Sequence, residues 1–202
     1  MIRHILPLAA AATLAACAST PAPPSAIEVT RFHDSAALAA KSQAAVFVET
    51  APGSQIDGLA LAPYKSAVAA ELARLGFTER DRAQSALVAQ IAAERFTVSP
   101  QQRSGPVSVG VGGSTGSYGS GVGVGLGINL GGSGPRERVG TKLTLMLRDA
   151  ATGQAIWEGR SEFTVDAEAE LAAASRHANI LAEAMLRDFP GGNGETIEIE
   201  VE

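Results

Sequence analysis

Along two arms, aliphatic residues occupy every second position: Val107, Val109 and Val111, then Val122, Val124, Leu126, Ile128 and Leu130. The positions between them are nearly all glycine or serine. A period of two belongs to extended backbone, where successive side chains point to opposite faces. The segment therefore predicts a glycine-faced β-hairpin, an insertion spanning 105–134 with "GGSTGSYGSG" as its turn region. Glycine lowers strand stability by roughly 0.5–1 kcal/mol relative to alanine. A bare face implies close approach by another surface: the protein's own helices, a second copy or a lipid. Val109, Val111, Tyr118, Val122, Val124, Leu126 and Ile128 are the candidate interaction surface.

Nucleotide motifs do not fit the same stretch. Gly119, Gly121, Gly123, Gly125 and Gly127 advance in even steps and miss the one-three-six spacing of a dinucleotide fingerprint. There is no Gly-Lys dipeptide for a P-loop. "GGSTG" matches the serine-hydrolase string, but that chemistry needs a strand, a sharp turn and a helix around the nucleophile. Ser114 has more glycine on both sides instead, so no catalytic role is expected of it.

The amino-terminal end predicts location. "MIRHILPLAAAATLAAC" combines a basic start at Arg3 with an apolar run from Ile5 to about Ala15. That run is well short of the ~20 residues a membrane-crossing helix needs, which indicates a signal peptide over 1–16. The chain's only cysteine follows at Cys17, and Leu14-Ala15-Ala16-Cys17 resembles a bacterial lipobox cleaved between Ala16 and Cys17. Diacylglycerol and palmitate-type acylation at Cys17 would give a stable anchor, since each buried CH2 contributes ~0.8 kcal/mol. Ala18 rather than aspartate follows the cysteine, which favours the outer membrane, facing the periplasm. "ASTPAPPS" then forms a semi-rigid tether, so 17–26 links the anchor to the domain.

Alternation predicts strands at Ile27–Phe32 and Ala44–Glu49, at Ser85–Val98, and in the pair Thr141–Asp149 and Gln154–Val165. The Ser85–Val98 stretch is alanine-rich and also suits a helix. Helical spacing marks Pro63–Leu75, with Tyr64, Val68, Leu72 and Leu75 on one face, and a long helix from Ala167 to Asp188. Residues 191–202 read as an acidic tail or an edge strand with Ile197, Ile199 and Val201 alternating with glutamates. The expected fold is a single α+β domain over 27–190, an antiparallel β-sheet packed on one face by two helices.

Other candidate chemistry is sparse. Sixteen Lys and Arg against 21 Asp and Glu argue against nucleic acid as a partner. His33 and His177 have no second histidine or cysteine at metal spacing, so no metal, cofactor or enzyme activity is expected. His177, beside Arg176, is expected to face water, and His33-Asp34 to supply loop polarity. Arg136, Glu137 and Arg138 read as a solvated neck, and "DAEAE" from Asp166 as the acidic first turn of the last helix. Trp157 is expected to anchor the core.

"AVFVE", "ELARLGF", "LMLRDAATGQAIWEGR" and "AMLRDFPG", with the lipobox and the glycine-rich insertion, together resemble the DUF4136 class of envelope lipoproteins. The resemblance covers about 27–190 and implies a fold and a location but no activity. The expected role is a non-enzymatic binding or scaffolding lipoprotein, with an envelope protein or a second copy as partner. The alternatives are a carrier of lipid or another apolar molecule, and an oligomeric barrel of membrane-inserted hairpins.

Overall fold

The computed structural model describes residues 24–56, 58–98, 107–114, 121–128 and 137–201. Cys17, its cleavage site, most of the tether, Tyr118 and Arg136 lie outside the described residues. In chain order the elements are β1 (Ile27–His33), α1 (Ser35–Ala39), β2 (Ala45–Thr50), α2 (Gly58–Arg74), β3 (Thr78–Glu79), β4 (Leu87–Val98), β5 (Val107–Ser114), β6 (Gly121–Ile128), β7 (Arg138–Asp149), β8 (Ala155–Asp166), α3 (Ala174–Leu186) and β9 (Thr196–Ile199).

Among the described residues, seven strands form one sheet in the order β3-β2-β4-β7-β8-β1-β9. The sheet is mixed rather than antiparallel, because β2 runs parallel to both β3 and β4. The cause is α2, which lies between β2 and β4 in the chain. A helical crossover returns the backbone in the same direction, whereas a tight turn would have reversed it. All other pairings in the sheet are antiparallel, including the long β4–β7–β8 ladders.

Alternation decides which side of the sheet is covered. Leu87, Ala89, Ile91 and Ala93 of β4 and Leu143, Leu145 and Leu147 of β7 are buried in one cluster with Tyr64, Val68 and Leu72 of α2 and Ala178, Leu181 and Met185 of α3. The alanine-rich β4 is a strand because it sits between β2 and β7 and every second residue meets the helices. Gly76, at φ 92°, ends the α2 region and lets the Phe77 N–H bond back to the Leu72 carbonyl at 3.0 Å.

The helices differ from expectation at their starts. α2 begins at Gly58, so Pro63 lies inside it rather than at its first turn. α3 begins at Ala174, with Asp166 still in β8 and Glu170–Ala172 forming a single 3-10 turn. "DAEAE" therefore runs from the end of β8 to the start of that 3-10 turn and does not form the first turn of α3. A third, short helix is present as well. Asp34, read as loop polarity, caps α1 by accepting the Ala36 and Ala37 amides, each at 3.0 Å.

β5 and β6 pair antiparallel in a separate two-stranded sheet. Their register sets Val109 opposite Leu126 and Val111 opposite Val124, with Gly110 opposite Gly125 and Gly112 opposite Gly123.

Candidate functional site

The segment Asp149–Gly159 of "LMLRDAATGQAIWEGR" forms the β7–β8 turn and the first residues of β8. The β7–β8 turn is set by Asp149, whose carboxylate accepts the Ala151 and Thr152 amides at 2.8 and 3.0 Å. Gly153, at φ 72°, takes the left-handed position that turn requires. Lys41 reaches the other oxygen of Asp149 at 2.8 Å. The Lys41 hydrogen bond first, then the two turn amides, hold the Asp149 carboxyl down at about 2.

Trp157 is 1% exposed, as the core reading of it required. A Cβ at Gly159 would lie 2.2 Å from the indole ring and 2.9 Å from Met185 Cγ, so only glycine leaves room for this ring. The indole Nε1 donates to the Pro190 carbonyl at 3.1 Å. Phe189 packs on both Trp157 and Phe77, with ring centroids 5.3 and 5.9 Å away. The "W-x-G" of β8 and the "F-P" after α3, separate in sequence, are one contact.

Arg31 is buried on β1 and donates from Nε to the Met185 carbonyl and from its terminal nitrogen to the Ala184 carbonyl, both at 2.9 Å. These carbonyls belong to the last turn of α3, where they have no partner within the helix and a cation is favoured. Burial lowers the Arg31 pKa and the nearby Asp188 carboxylate opposes that shift. Next to it, His33 and Asn193 exchange backbone-to-side-chain hydrogen bonds of 3.0 and 3.1 Å. Arg31→Met, which keeps much of the stem but none of the donors, is expected to lower stability by about 2–3 kcal/mol in urea denaturation.

His177 does not face water. It is fully buried, its Nδ1 lies 2.9 Å from the Thr141 hydroxyl and its ring stacks edge-on against Phe163 at 5.1 Å. Burial, with Arg95 adding to it, lowers the His177 pKa to about 4. Its Nε2 and the nearby Tyr64 hydroxyl are both buried without a hydrogen-bond partner. Burial raises the Tyr64 pKa, and the Thr141 hydroxyl opposes that shift without forming a hydrogen bond of normal geometry. The cluster joins α2, β7 and α3 and is sealed from solvent, so it is a structural contact and not an exposed acid–base site.

The domain of unknown function DUF4136 matches residues 32–191. The chain belongs to this family. No curated protein matches it. Among solved structures, the PelC dodecamer from Paraburkholderia phytofirmans is similar at 14% identity and a TM-score of 0.44, covering 79% of this chain and 94% of that one. A PDZ domain protein from Parabacteroides distasonis is similar at 12% identity and a TM-score of 0.48, covering 88% of this chain and 39% of that one. The DUF4136 motifs of this chain are thus accounted for as turn, cap and core positions.

The grooves on the described surface include two near α3. One, of about 380 Å³, lies against Leu38, Leu75, Phe77, Phe189 and Pro190. The other, of about 350 Å³, lies between α3 and β9. Among the described residues no group of three His, Cys, Asp or Glu side chains is placed to hold a metal. Of the predicted interaction surface, Val109 and Val111 fall on β5, and Val122, Val124, Leu126 and Ile128 on β6.

Sequence reasoning missed Arg31 and misplaced His177, though the signal for each was present. Arg31 is two residues from Val29 and four from Ile27, which puts it on the inner face of β1. His177 is four residues before Leu181, which puts it on the inner face of α3.

Proposed function

We propose that this protein is a non-enzymatic lipoprotein of the bacterial outer membrane, anchored through Cys17 and facing the periplasm, where its domain binds or scaffolds another envelope component. The observation that carries this reading is Leu14-Ala15-Ala16-Cys17, with the chain's only cysteine in the lipidation register behind a short apolar run. The Pro-rich tether supports it, because it leads at once into β1, and Ser25 already bonds to the Thr164 carbonyl at 2.9 Å. Family membership adds no activity, since the DUF4136 domain has no known function. The glycine-rich insertion, with its aliphatic positions in register across β5 and β6, supplies one contact surface, and the outer strand edge of the sheet supplies another.

Palmitate labelling in cells tests the anchor. The full chain is expected to take up label and fractionate with the outer membrane, and Cys17→Ser to lose the label and appear in the soluble periplasmic fraction. An unlabelled wild-type protein, or a Cys17→Ser variant still held at the membrane, would remove the anchored reading.

A lipid carrier is the second reading, favoured by the apolar groove at Leu38, Leu75, Phe77 and Phe189. Its volume falls within the range of small-molecule sites. Mass spectrometry of the protein purified from envelopes decides it: co-purified lipid supports a carrier, and a lipid-free protein excludes one.

A further inference from the structure

We infer that the free edge of β9 is a docking site for an extended partner segment in which basic and aliphatic residues alternate. The inference rests on the binding-module reading above and names its surface and the chemistry of its partner.

Among the described residues, β9 closes one side of the sheet and pairs only with β1. Its register sets Ile199 opposite Ile27 and Ile197 opposite Val29. Ile27 and Val29 belong to the buried core, so Ile197 and Ile199 continue the helix-facing side of the sheet. The helices do not fully cover that extension. Ile197 is 37% exposed, and the groove of about 350 Å³ runs between the strand and α3, lined by Ile27, Ile180, Ala184, Ile199 and Val201. Glu183, Arg187 and Glu200 complete it, Arg187 being paired to Glu183 at 3.4 Å. A strand added to β9 would drop an aliphatic side chain into this groove.

The other side of the same edge has the opposite chemistry. Glu162 of β8, Glu28 of β1 and Glu198 of β9 stand directly opposite one another in a single row. Lys142 of β7, next in that row, is committed to Glu162 at 3.8 Å. Neither Glu28 nor Glu198 has a cationic partner among the described residues. Like charges directly opposite on adjacent strands are destabilising. The row therefore ends in uncompensated negative charge at the point where a further strand would pair.

Charge selects the occupant. A second copy of β9 would bring its own Glu198 to the row and add to the repulsion. A neutral strand would leave the repulsion in place. A lysine or arginine opposite Glu198 relieves it, and the next residue, on the other face, meets the groove. The acidic edge thus resists self-pairing and admits one kind of partner. With four residues in β9, a segment of about five to ten residues is long enough.

The test uses the full chain and a fluorescent ten-residue peptide of alternating lysine and valine, with a glutamate–valine peptide as its counterpart. Binding is read by anisotropy and located by hydrogen–deuterium exchange. The basic peptide is expected to bind with salt-sensitive affinity and to protect 196–199. Glu198→Lys, at an exposed position, is expected to weaken that binding by about tenfold and to improve binding of the acidic peptide. Glu168→Lys, an equal charge change in the exposed β8–α3 connection, is expected to leave it unchanged. No binding, equal loss in both variants, or protection away from β9 would overturn the inference. The wider reading fails separately, through palmitate labelling. An envelope partner cross-linked through 107–128, with β9 unprotected, would preserve that reading and remove this one.

Discussion

Trp157→Ala is expected to lower the stability of the domain by about 3–5 kcal/mol, the range for truncating a fully buried large aromatic. The indole is the piece around which three other features are arranged. Gly159 leaves space beneath it, Phe189 stacks on it, and the Pro190 carbonyl accepts its N–H. Alanine would leave a cavity and an unpaired carbonyl at the point where the chain leaves α3. Urea denaturation followed by far-UV circular dichroism measures the loss without relying on the tryptophan itself. Gly159→Ala is expected to act in the same direction by overpacking, since its Cβ would overlap the ring unless ring or strand moved. A loss under 1 kcal/mol for Trp157→Ala would mean that the ring is not buried as described.

The second large effect concerns pH. His177 is buried as the neutral imidazole, with a pKa near 4 against the ordinary value of 6.5. Between those values the unfolded chain binds a proton that the folded chain does not. Stability therefore rises with pH across that window and falls as the pH drops from about 6.5 towards 4. At 1.36 kcal/mol per pH unit, the full change is on the order of 3 kcal/mol. Arg95, which faces the cluster from β4, adds to the same direction, and among the described residues no carboxylate contributes to the shift. Asp149 acts in the same direction at lower pH: its depressed pKa contributes stability that is present above the ordinary value of 3.8 and is lost as pH falls from there through about 2. The two windows are separate. Denaturation midpoints of the wild type should slope between pH 6.5 and 4, and His177→Leu should flatten that slope even if it lowers stability at neutral pH by leaving Thr141 unpaired. An unchanged slope in the variant would show that another group carries the dependence.

Much of the fold was legible where periodicity was undisturbed. The strand pair read at Thr141–Asp149 and Gln154–Val165 is observed as β7 and β8, Arg138–Asp149 and Ala155–Asp166. β1 and β2 lie within one residue of their expected ends. Family membership, too, was readable from the turn and core motifs. What failed was direction and helix starts. A period of two states that a strand exists and which residues point inward, but it is blind to whether the neighbour runs parallel. Only the helix between β2 and β4 carried that information. Pro63 suggested a helix start because its missing N–H is harmless there, yet α2 had begun five residues earlier. The acidic run after Asp166 matched the preference of a first helical turn, but Asp166 was held in β8 and buried. His177 was judged by its polar type and charged neighbour, when its position on the helix decided its burial.

The placement of β1 has a mechanical consequence. β1 is the first of the described strands and lies between β8 and β9, with Ile27 at its start opposite Ile199 at the end of β9. Tension arriving from the amino-terminal side enters the sheet through this strand. If the chain is anchored through Cys17 as proposed and a partner holds β9, the line of force between them crosses, among the described strands, the short ladder from Ile27–Ile199 to Thr30–Thr196. The helices, the aromatic contact around Trp157 and the strands beyond β8 lie off that line. The domain could then carry a pull between membrane and partner while its core stayed unloaded, and the ladder that gives way first would be the one whose loss leaves the rest of the sheet paired.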